Sequence, residues 1–251
     1  MRRKLFAFWL AFALAALAVP SALGAATPPK NPVIIVAGTL SPAIANEPLA
    51  ARMRADGWKV WIFQLPGLGL GDIHQTAAAL GPVVDSVRAQ TGSAKVDLVG
   101  HSQGGLVARD YVKSYGGSTK VDKVIGLGAP NYGTAVANLA TFLGLGDCLG
   151  VTACAQMAVG SSYLASLNAG DDSIGSVRYY NIATKLDELV QPYSNAFLNA
   201  ADGNIYNAAI QDQCWLRVVG HAGLILDGTA YSGVKYALEG NAGLRFNCWA
   251  L

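Results

Sequence analysis

Residues 95–115 read KVDLVGHSQGGLVARDYVKSY, and this stretch decides the predicted fold. Its first five residues predict a buried β-strand, and residues 106–115 predict an α-helix. Between them, residues 100–104 have the pattern G-x-S-x-G, which is typical of a strand–turn–helix unit that presents a nucleophilic serine. In a chain with 29 glycines the pattern alone is weak. The strand before it and the helix after it make Ser102 a candidate nucleophile.

The glycines of this pattern have a physical purpose. A serine at such a turn adopts a crowded backbone conformation that costs roughly 1–3 kcal/mol, and Gly100 and Gly104 leave room for the turn. The helix that follows directs its N-terminus toward Ser102, where it favours developing negative charge. The alternative interpretation is a glycine-rich turn that carries an incidental serine.

Outward from this unit, strands and helices alternate along the chain. Apolar runs predict strands at residues 33–37, 58–65, 95–99, 121–127, 177–183 and 215–219. Helical patterns cover residues 46–56, 73–90, 106–115 and 232–238. This alternation predicts an α/β fold with a mostly parallel, twisted sheet and helices on both faces. Ligands bind at the carboxyl ends of the strands in such sheets, so functional residues are expected just after a strand.

A serine hydroxyl needs a base to accept its proton before it becomes a good nucleophile. On folds with this serine motif, the acid and then the histidine follow the serine along the chain. The sequence has three histidines, and only His221 comes after Ser102. It directly follows the predicted strand at residues 215–219, so His221 is the predicted base. The alternative is a histidine with a purely structural role.

The acid that orients the base must lie between Ser102 and His221, where the sequence has nine carboxylates. Seven of them lie within a predicted helix, before a strand or away from a strand end. Asp187 and Glu188 remain, four and five residues after the predicted strand that ends at Ala183. We favour Asp187, which would hold the imidazole in the correct tautomer and stabilise the imidazolium.

Two backbone N–H groups are needed where the oxyanion of the tetrahedral intermediate forms. One is expected from Gln103, which follows the nucleophile, and the other from Thr39, which follows an early strand. The Thr39 hydroxyl can add a third hydrogen bond. Five apolar residues in an irregular segment line an acyl pocket or a small cover, or else belong to the core: Leu139, Phe142, Leu143, Leu145 and Leu149.

The N-terminal segment has the order of a secretory signal. Three basic residues, Arg2, Arg3 and Lys4, precede an uncharged run at residues 5–19 and small residues at 21–26. This order predicts a cleaved signal at residues 1–26, followed by a single domain at residues 27–251 and secretion of the product. Cleavage after Gly24 and an uncleaved anchor are the alternatives.

The charge of the chain belongs largely to that signal. Three of the 18 Lys and Arg residues lie in it and none of the 16 Asp and Glu residues, so the remainder carries a net charge of −1. This balance excludes a nucleic-acid-binding surface of the usual basic kind. Four cysteines in an exported protein imply disulfides, and three pairings are open. We favour the sequence-local pairs Cys148–Cys154 and Cys214–Cys248 over a zinc site, for which the spacing is wrong.

Taken together, these motifs resemble the secreted bacterial triacylglycerol lipases, the class 2 lipases of the α/β-hydrolase superfamily. The resemblance covers about residues 32–240 and is carried by VIIVAGT, GLGLGD, VDLVGHSQGGLVAR, VIGLGAPNYGT, TKLDELVQP and VVGHAGL. It implies a triad of Ser102, Asp187 and His221, and an oxyanion hole of Thr39 and Gln103. It also implies hydrolysis of carboxylic esters of fatty acids without a cofactor. Some lipases bind structural calcium, but the sequence has no D-x-[DN]-x-[DN]-G loop, so no metal site is predicted.

The sequence departs from the family in two places. Ala37-Gly38 stands where many lipases have His-Gly, and the insertion before Asp187 is short, which predicts minimal or no large lid. We expect a monomer that acts on lipid or other ester substrates, including at a lipid–water interface. An acyltransferase or a polyester hydrolase would use the same residues, and a non-catalytic binding protein on this fold is the further alternative.

Overall fold

Six short apolar runs pair side by side in parallel, which confirms the predicted α/β class. The computed structural model describes residues 30–135, 140, 148 and 150–251. The strands lie in the order β2-β1-β3-β4-β5-β6. Their bounds are Val33–Val36 (β1), Val60–Phe63 (β2), Val96–His101 (β3), Val121–Leu127 (β4), Arg178–Ala183 (β5) and Ile205–Ala209 (β6).

Helices connect the strands and cover both faces of the sheet. The α-helices of the described residues are Glu47–Ala55 (α1), Ile73–Thr91 (α2), Gln103–Ser114 (α3), Thr152–Met157 (α4), Ser162–Leu167 (α5), Ile210–Gln213 (α6) and Gly228–Leu238 (α7). Short 3-10 helices occupy Ala43–Asn46, Pro66–Gly69, Gly117–Thr119, Tyr193–Ala196, Ala200–Asp202 and Ala222–Ile225. Helix α2 runs without a break through Pro82. No helix in these ranges is long and apolar enough to span a bilayer.

The alternation of side chains along each strand divides the core into two layers. Ile34 and Val36 of β1 pack in the layer formed with helices α2 and α3. Val33 and Ile35 pack on the opposite face, in the layer formed with α1 and α7. Strand β3 lies inside the sheet, between β1 and β4, and all six of its residues are buried. The nucleophile therefore follows one of the most enclosed strands.

The predicted strand at residues 215–219 is wrong. The sixth strand is β6, whose sequence IYNAA contains Asn207 and is less apolar than residues 215–219. The Asn207 side chain forms two hydrogen bonds with the backbone of Leu198. Residues 215–219 instead lie outside the sheet, next to the disulfide-bonded Cys214, and Trp215 is 78% exposed. An apolar composition predicted a buried strand there, but three of its apolar side chains, Trp215, Leu216 and Val218, are exposed, and only Val219 is buried.

Two disulfides are present, and both are sequence-local. Cys148 is bonded to Cys154 and Cys214 to Cys248, with Cα–Cα separations of 5.5 and 5.2 Å. The second joins the end of α6 to the C-terminal segment. The predicted signal at residues 1–26, and residues 139, 142, 143, 145 and 149, lie outside the described residues. The expectation of a small lid depends largely on that same segment and stays a prediction.

Helix α3 lies against the sheet more closely than side chains would allow. A Cβ at Gly104 would overlap the carbonyl oxygens of Val36 and Ala37, and a Cβ at Gly105 would overlap the side chain of Ala129. These obstacles at Gly104 are backbone atoms, which cannot rotate away. Gly104 therefore sets the distance between α3 and strand β1, and Gly105 sets the distance between α3 and the segment that follows β4.

We expect Gly104→Ala to lower the free energy of unfolding by about 3 kcal/mol, the upper end of the usual cost of overpacking. The matched control is Gly71→Ala, because a Cβ at Gly71 meets no atom within 4 Å. Urea unfolding followed by circular dichroism measures both changes. Equal midpoints for the two variants would contradict the role given to Gly104.

Candidate active site

Ser102 occupies the sharp turn between β3 and α3. Its backbone has φ 54° and ψ −127°, a region that non-glycine residues rarely adopt. The Ser102 N–H donates to the Leu127 carbonyl oxygen at 2.9 Å, and the Gly105 N–H donates to the Ser102 carbonyl oxygen at 3.0 Å. Strand β4 and helix α3 thus hold the strained turn that the sequence pattern predicts.

The structure brings His221 and Asp187 together. Asp187 follows β5, and its two carboxylate oxygens lie 3.0 and 2.9 Å from Nδ1 of His221. Both residues are buried. The carboxylate also accepts the backbone N–H groups of Leu189 and Val190, which fix its orientation. Because Nδ1 faces a carboxylate, it carries the proton, and Nε2 has the free lone pair.

Glu188, the alternative acid, has a different contact. Its Oε2 accepts the backbone N–H of His221 at 2.9 Å and does not contact the imidazole. Thr184 adds a second connection, since its hydroxyl donates to the Val219 carbonyl oxygen at 2.7 Å. The segment after β5 therefore supplies one carboxylate to the ring of His221 and another to its backbone. No local sequence pattern indicates this second role, which only the fold shows.

His101 links the histidine to the nucleophile. Its Nε2 lies 3.1 Å from the carbonyl oxygen of His221, so it must carry a proton there. The two imidazole rings lie 4.9 Å apart between centroids. This contact places His221 beside the residue that immediately precedes Ser102. The Nε2 atom of His221 is buried and has no hydrogen-bond partner among the described residues, so its lone pair is available to a proton.

Two backbone N–H groups near Ser102 are free of hydrogen bonds in the described part of the chain. Gln103 is the first residue of α3, and helix geometry gives its N–H no partner. The Thr39 N–H is likewise unengaged, whereas the Leu40 N–H donates to the Leu68 carbonyl oxygen at 2.8 Å. The Thr39 hydroxyl donates to Oε1 of Gln103 at 2.7 Å, so the two predicted oxyanion residues are in direct contact.

Three exposed leucines, Leu40, Leu68 and Leu186, lie next to these residues along the chain or in hydrogen-bonding contact with their neighbours, and we call them the rim of the site. Leu40 follows Thr39, Leu186 precedes Asp187, and Leu68 accepts a backbone hydrogen bond from Leu40. Their exposed fractions are 40%, 49% and 36%. Among residues 30–135, 140, 148 and 150–251, no three His, Cys, Asp or Glu side chains are grouped as a metal site would require. The arrangement offers a nucleophile, a base, an acid and hydrogen-bond donors beside an apolar surface.

A known protein family matches part of the sequence. The sequence model of the family described as palmitoyl protein thioesterase matches residues 68–215, more than half of the chain. Ser102, Gln103 and Asp187 lie inside the matched range, whereas Thr39 and His221 lie outside it.

Solved structures with a similar fold include two lipases. Lipase B of Aspergillus fumigatus superposes with a TM-score of 0.73 at 23% identity, over 88% of this chain and 55% of that one. The mature BlEst2 lipase of Bacillus licheniformis gives 0.54 at 22% identity, over 63% and 67%. A gene product of Listeria innocua gives 0.59 at 14%, over 86% and 99%. The chain thus spans just over half the length of the Aspergillus lipase, and the likeness to all three is one of fold.

Burial gives His101 a measurable pH signature. Desolvation, followed by repulsion from His221, lowers the pKa of His101 from 6.5 to about 3. The unfolded chain therefore binds a proton that the folded chain refuses between these two values, so folding stability falls as pH falls below about 6.5. We expect this loss to approach 1.4 kcal/mol per pH unit, and to be absent in His101→Gln, which keeps a donor for His221.

Denaturant unfolding at pH 7, 6, 5 and 4 measures this effect as the difference between wild type and His101→Gln. Subtracting the two dependences of unfolding free energy on pH removes the contribution of every titrating group that does not interact with His101. If the free energies of unfolding of wild type and His101→Gln changed with pH in parallel, the assignment of a neutral, buried His101 would be contradicted.

Proposed function

The chain belongs to the palmitoyl protein thioesterase family, and on that premise we propose that it is a serine hydrolase that cleaves carboxylic esters of fatty acids. Its α/β-hydrolase fold is that of lipases and esterases. One observation carries the proposal: a buried, hydrogen-bonded Asp187–His221 pair contacts His101, the residue that immediately precedes a serine held in a strained turn. Asp187 and His221 both reach this point from loops.

The reaction begins with proton transfer. Nε2 of His221 accepts the proton of the Ser102 hydroxyl as Oγ attacks the ester carbonyl carbon. The imidazolium that forms is stabilised by the adjacent carboxylate of Asp187, which also keeps Nδ1 protonated. Because both groups are buried, their attraction is stronger than it would be in water.

The negative charge that develops on the carbonyl oxygen is met by the free N–H groups of Thr39 and Gln103. These donors are fixed in the resting protein, so no reorganisation is needed when the charge appears. His221 then gives its proton to the leaving alcohol, and the acyl group stays on Ser102 as an ester. Water, activated by His221 in the same way, releases the fatty acid and restores the serine.

The exposed apolar side chains of Leu40, Leu68 and Leu186 favour an acyl chain as the substrate group that lies along the rim. The two solved lipases share the fold at low identity, which agrees with a substrate of this class. An acyltransferase or a polyester hydrolase would use the same residues with another acceptor or ester. We favour water as acceptor and a lipid ester as substrate.

Thioester hydrolysis is the second candidate, because the matching family is described as a palmitoyl protein thioesterase. A thioester has the same acyl group and would form the same acyl-enzyme. The difference lies in the leaving group: a thiolate departs without a proton, whereas an alkoxide needs one from His221. His221 holds the Ser102 proton at that stage and can donate it to the alkoxide, so the site is suited to the oxygen ester as well as to the thioester.

We further propose that residues 1–26 are a cleaved export signal and that residues 27–251 form the secreted domain, a monomer. The two disulfides support this proposal, since such bonds persist in oxidising compartments. Mass spectrometry of the protein purified from culture medium would give the cleavage site.

We expect Ser102→Ala to lower kcat for p-nitrophenyl butyrate at least 10³-fold and to abolish labelling by a fluorophosphonate probe, because the attacking oxygen is removed. Ser86→Ala is the matched control, on the surface of helix α2. Equal thermal unfolding of the two variants would show that folding is unaffected. Full turnover by Ser102→Ala would overturn the proposed function.

To separate the two candidates, kcat/KM is compared for an oxygen ester and a thioester of the same acyl chain, across chain lengths from four to sixteen carbons. We expect the oxygen ester to be cleaved within about 10-fold of the thioester, because His221 protonates the leaving alkoxide. A thioester preference above about 100-fold would instead assign thioesterase activity.

A further inference from the structure

The side-chain amide of Gln103 lies at the site but has no part in the mechanism above, which uses only its backbone N–H. Three buried side-chain atoms around Ser102 have no hydrogen-bond partner among the described residues: Nε2 of His221, Nδ1 of His101 and Nε2 of Gln103. The first is the catalytic lone pair. The third is an N–H donor group, and a buried donor without a partner is costly, so it requires an explanation.

The amide is enclosed on every described side. Gln103 has no exposed surface. Gly69 packs against it, since a Cβ at this position would lie 2.5 Å from Oε1 of Gln103. Gly69 also has φ +76°, so only glycine suits this position on both counts. The conformation of the amide is therefore limited to rotation about its last torsion angle.

The direction of one hydrogen bond decides what Thr39 can do. Its hydroxyl has a single hydrogen, which it donates to Oε1 of Gln103. While that bond lasts, the hydroxyl has no hydrogen to offer to an oxyanion. A half-turn of the amide exchanges its oxygen and nitrogen at nearly the same positions. Nε2 then donates to Oγ1 of Thr39, and the hydroxyl hydrogen is released.

The two orientations have the same number of hydrogen bonds between these side chains. In the first, an NH2 group is left without a partner, whereas in the second a carbonyl oxygen is left, which proteins tolerate more readily. Only the second allows a further bond, from the Thr39 hydroxyl to negative charge beside Ser102. The equilibrium between the two amide orientations therefore moves toward the second one when the oxyanion forms. Stabilisation that is added at this point, and not in the resting state, accelerates the reaction.

Resting on the proposed function, we propose that the Gln103 side chain is a positioning residue that turns the Thr39 hydroxyl toward the oxyanion, where it serves as a third donor. Gln103 acts through Thr39 and does not itself touch the substrate with its amide. The sequence Ser102-Gln103 thus supplies the nucleophile, one backbone donor and the group that orients another donor.

The test uses four variants, each expressed as the full-length chain. Thr39→Val keeps the shape of the side chain and removes the hydroxyl. Gln103→Glu, when ionised, can only accept from Thr39 and so holds the hydroxyl away from the oxyanion. Gln103→Met has similar length without a strong acceptor and leaves the hydroxyl free. The fourth is the double variant Thr39→Val/Gln103→Glu.

We expect Thr39→Val to lower kcat on the order of 10²-fold with KM nearly unchanged, as for loss of one oxyanion donor. Gln103→Glu should reproduce this loss, and Gln103→Met should keep at least 10-fold more activity than Gln103→Glu. The double variant should be no more than about 3-fold slower than Thr39→Val, because both changes remove the same bond. The inhibition constant of an acyl trifluoromethyl ketone, which forms an oxyanion on Ser102, should rise by the same factor as kcat falls.

Three results would overturn the proposal: Thr39→Val within 3-fold of wild type, equal kcat for Gln103→Glu and Gln103→Met, or losses that multiply in the double variant. The last would mean that the added carboxylate acts through its charge alone. Titration of Ser102 with a fluorophosphonate measures the folded, reactive fraction of each variant. The kcat of each variant is calculated from the concentration of that fraction. Failure of the Ser102→Ala test overturns the proposed function itself, whereas these results overturn only the role of Gln103.

Discussion

The close approach of helix α3 to the sheet is the constraint on which the rest of the molecule depends. In the first turn of α3, Gly104 and Gly105 place no side chain between the helix and the sheet, and Gly100 leaves room for the helix at the end of β3. The helix can begin immediately after Ser102 only because of that clearance. Its first N–H group and its positive end then lie at the nucleophile, where a larger residue would have pushed them away.

Three of the six buried side-chain atoms that have no hydrogen-bond partner among the described residues lie at one place, around Ser102. Elsewhere in the described core, buried polar groups are largely paired, as in the contact of Arg109 with Asp172. Around Ser102, in contrast, His221, Gln103 and His101 each leave a nitrogen without a partner. Unpaired buried groups cost stability, and proteins keep them where a reacting group will pair with them. Unpaired nitrogens in this place therefore suit a site where a substrate binds, as the proposed function requires.

Much of this arrangement could be predicted from the sequence, because local patterns determine it. The motif at residues 100–104 and the apolar runs of β1 to β5 are local, and the small number of histidines left His221 as the one candidate base. The sixth strand was not predicted, because Asn207 makes β6 too polar and exposed side chains make residues 215–219 too apolar. The contacts of Glu188 and Gln103 could not be predicted either, since each joins loops that are distant along the chain.

The error in the sixth strand shows how His221 is positioned. The sequence suggested that a strand carries it, but its loop is held from three other directions. Glu188 accepts its backbone N–H, His101 donates to its carbonyl oxygen, and Thr184 donates to the neighbouring Val219. Two of these partners follow β5 and the third ends β3, so the strands that present Asp187 and Ser102 also fix His221. The geometry of the three residues is thereby set by two strands inside the sheet, and β6 is free to be a short edge strand.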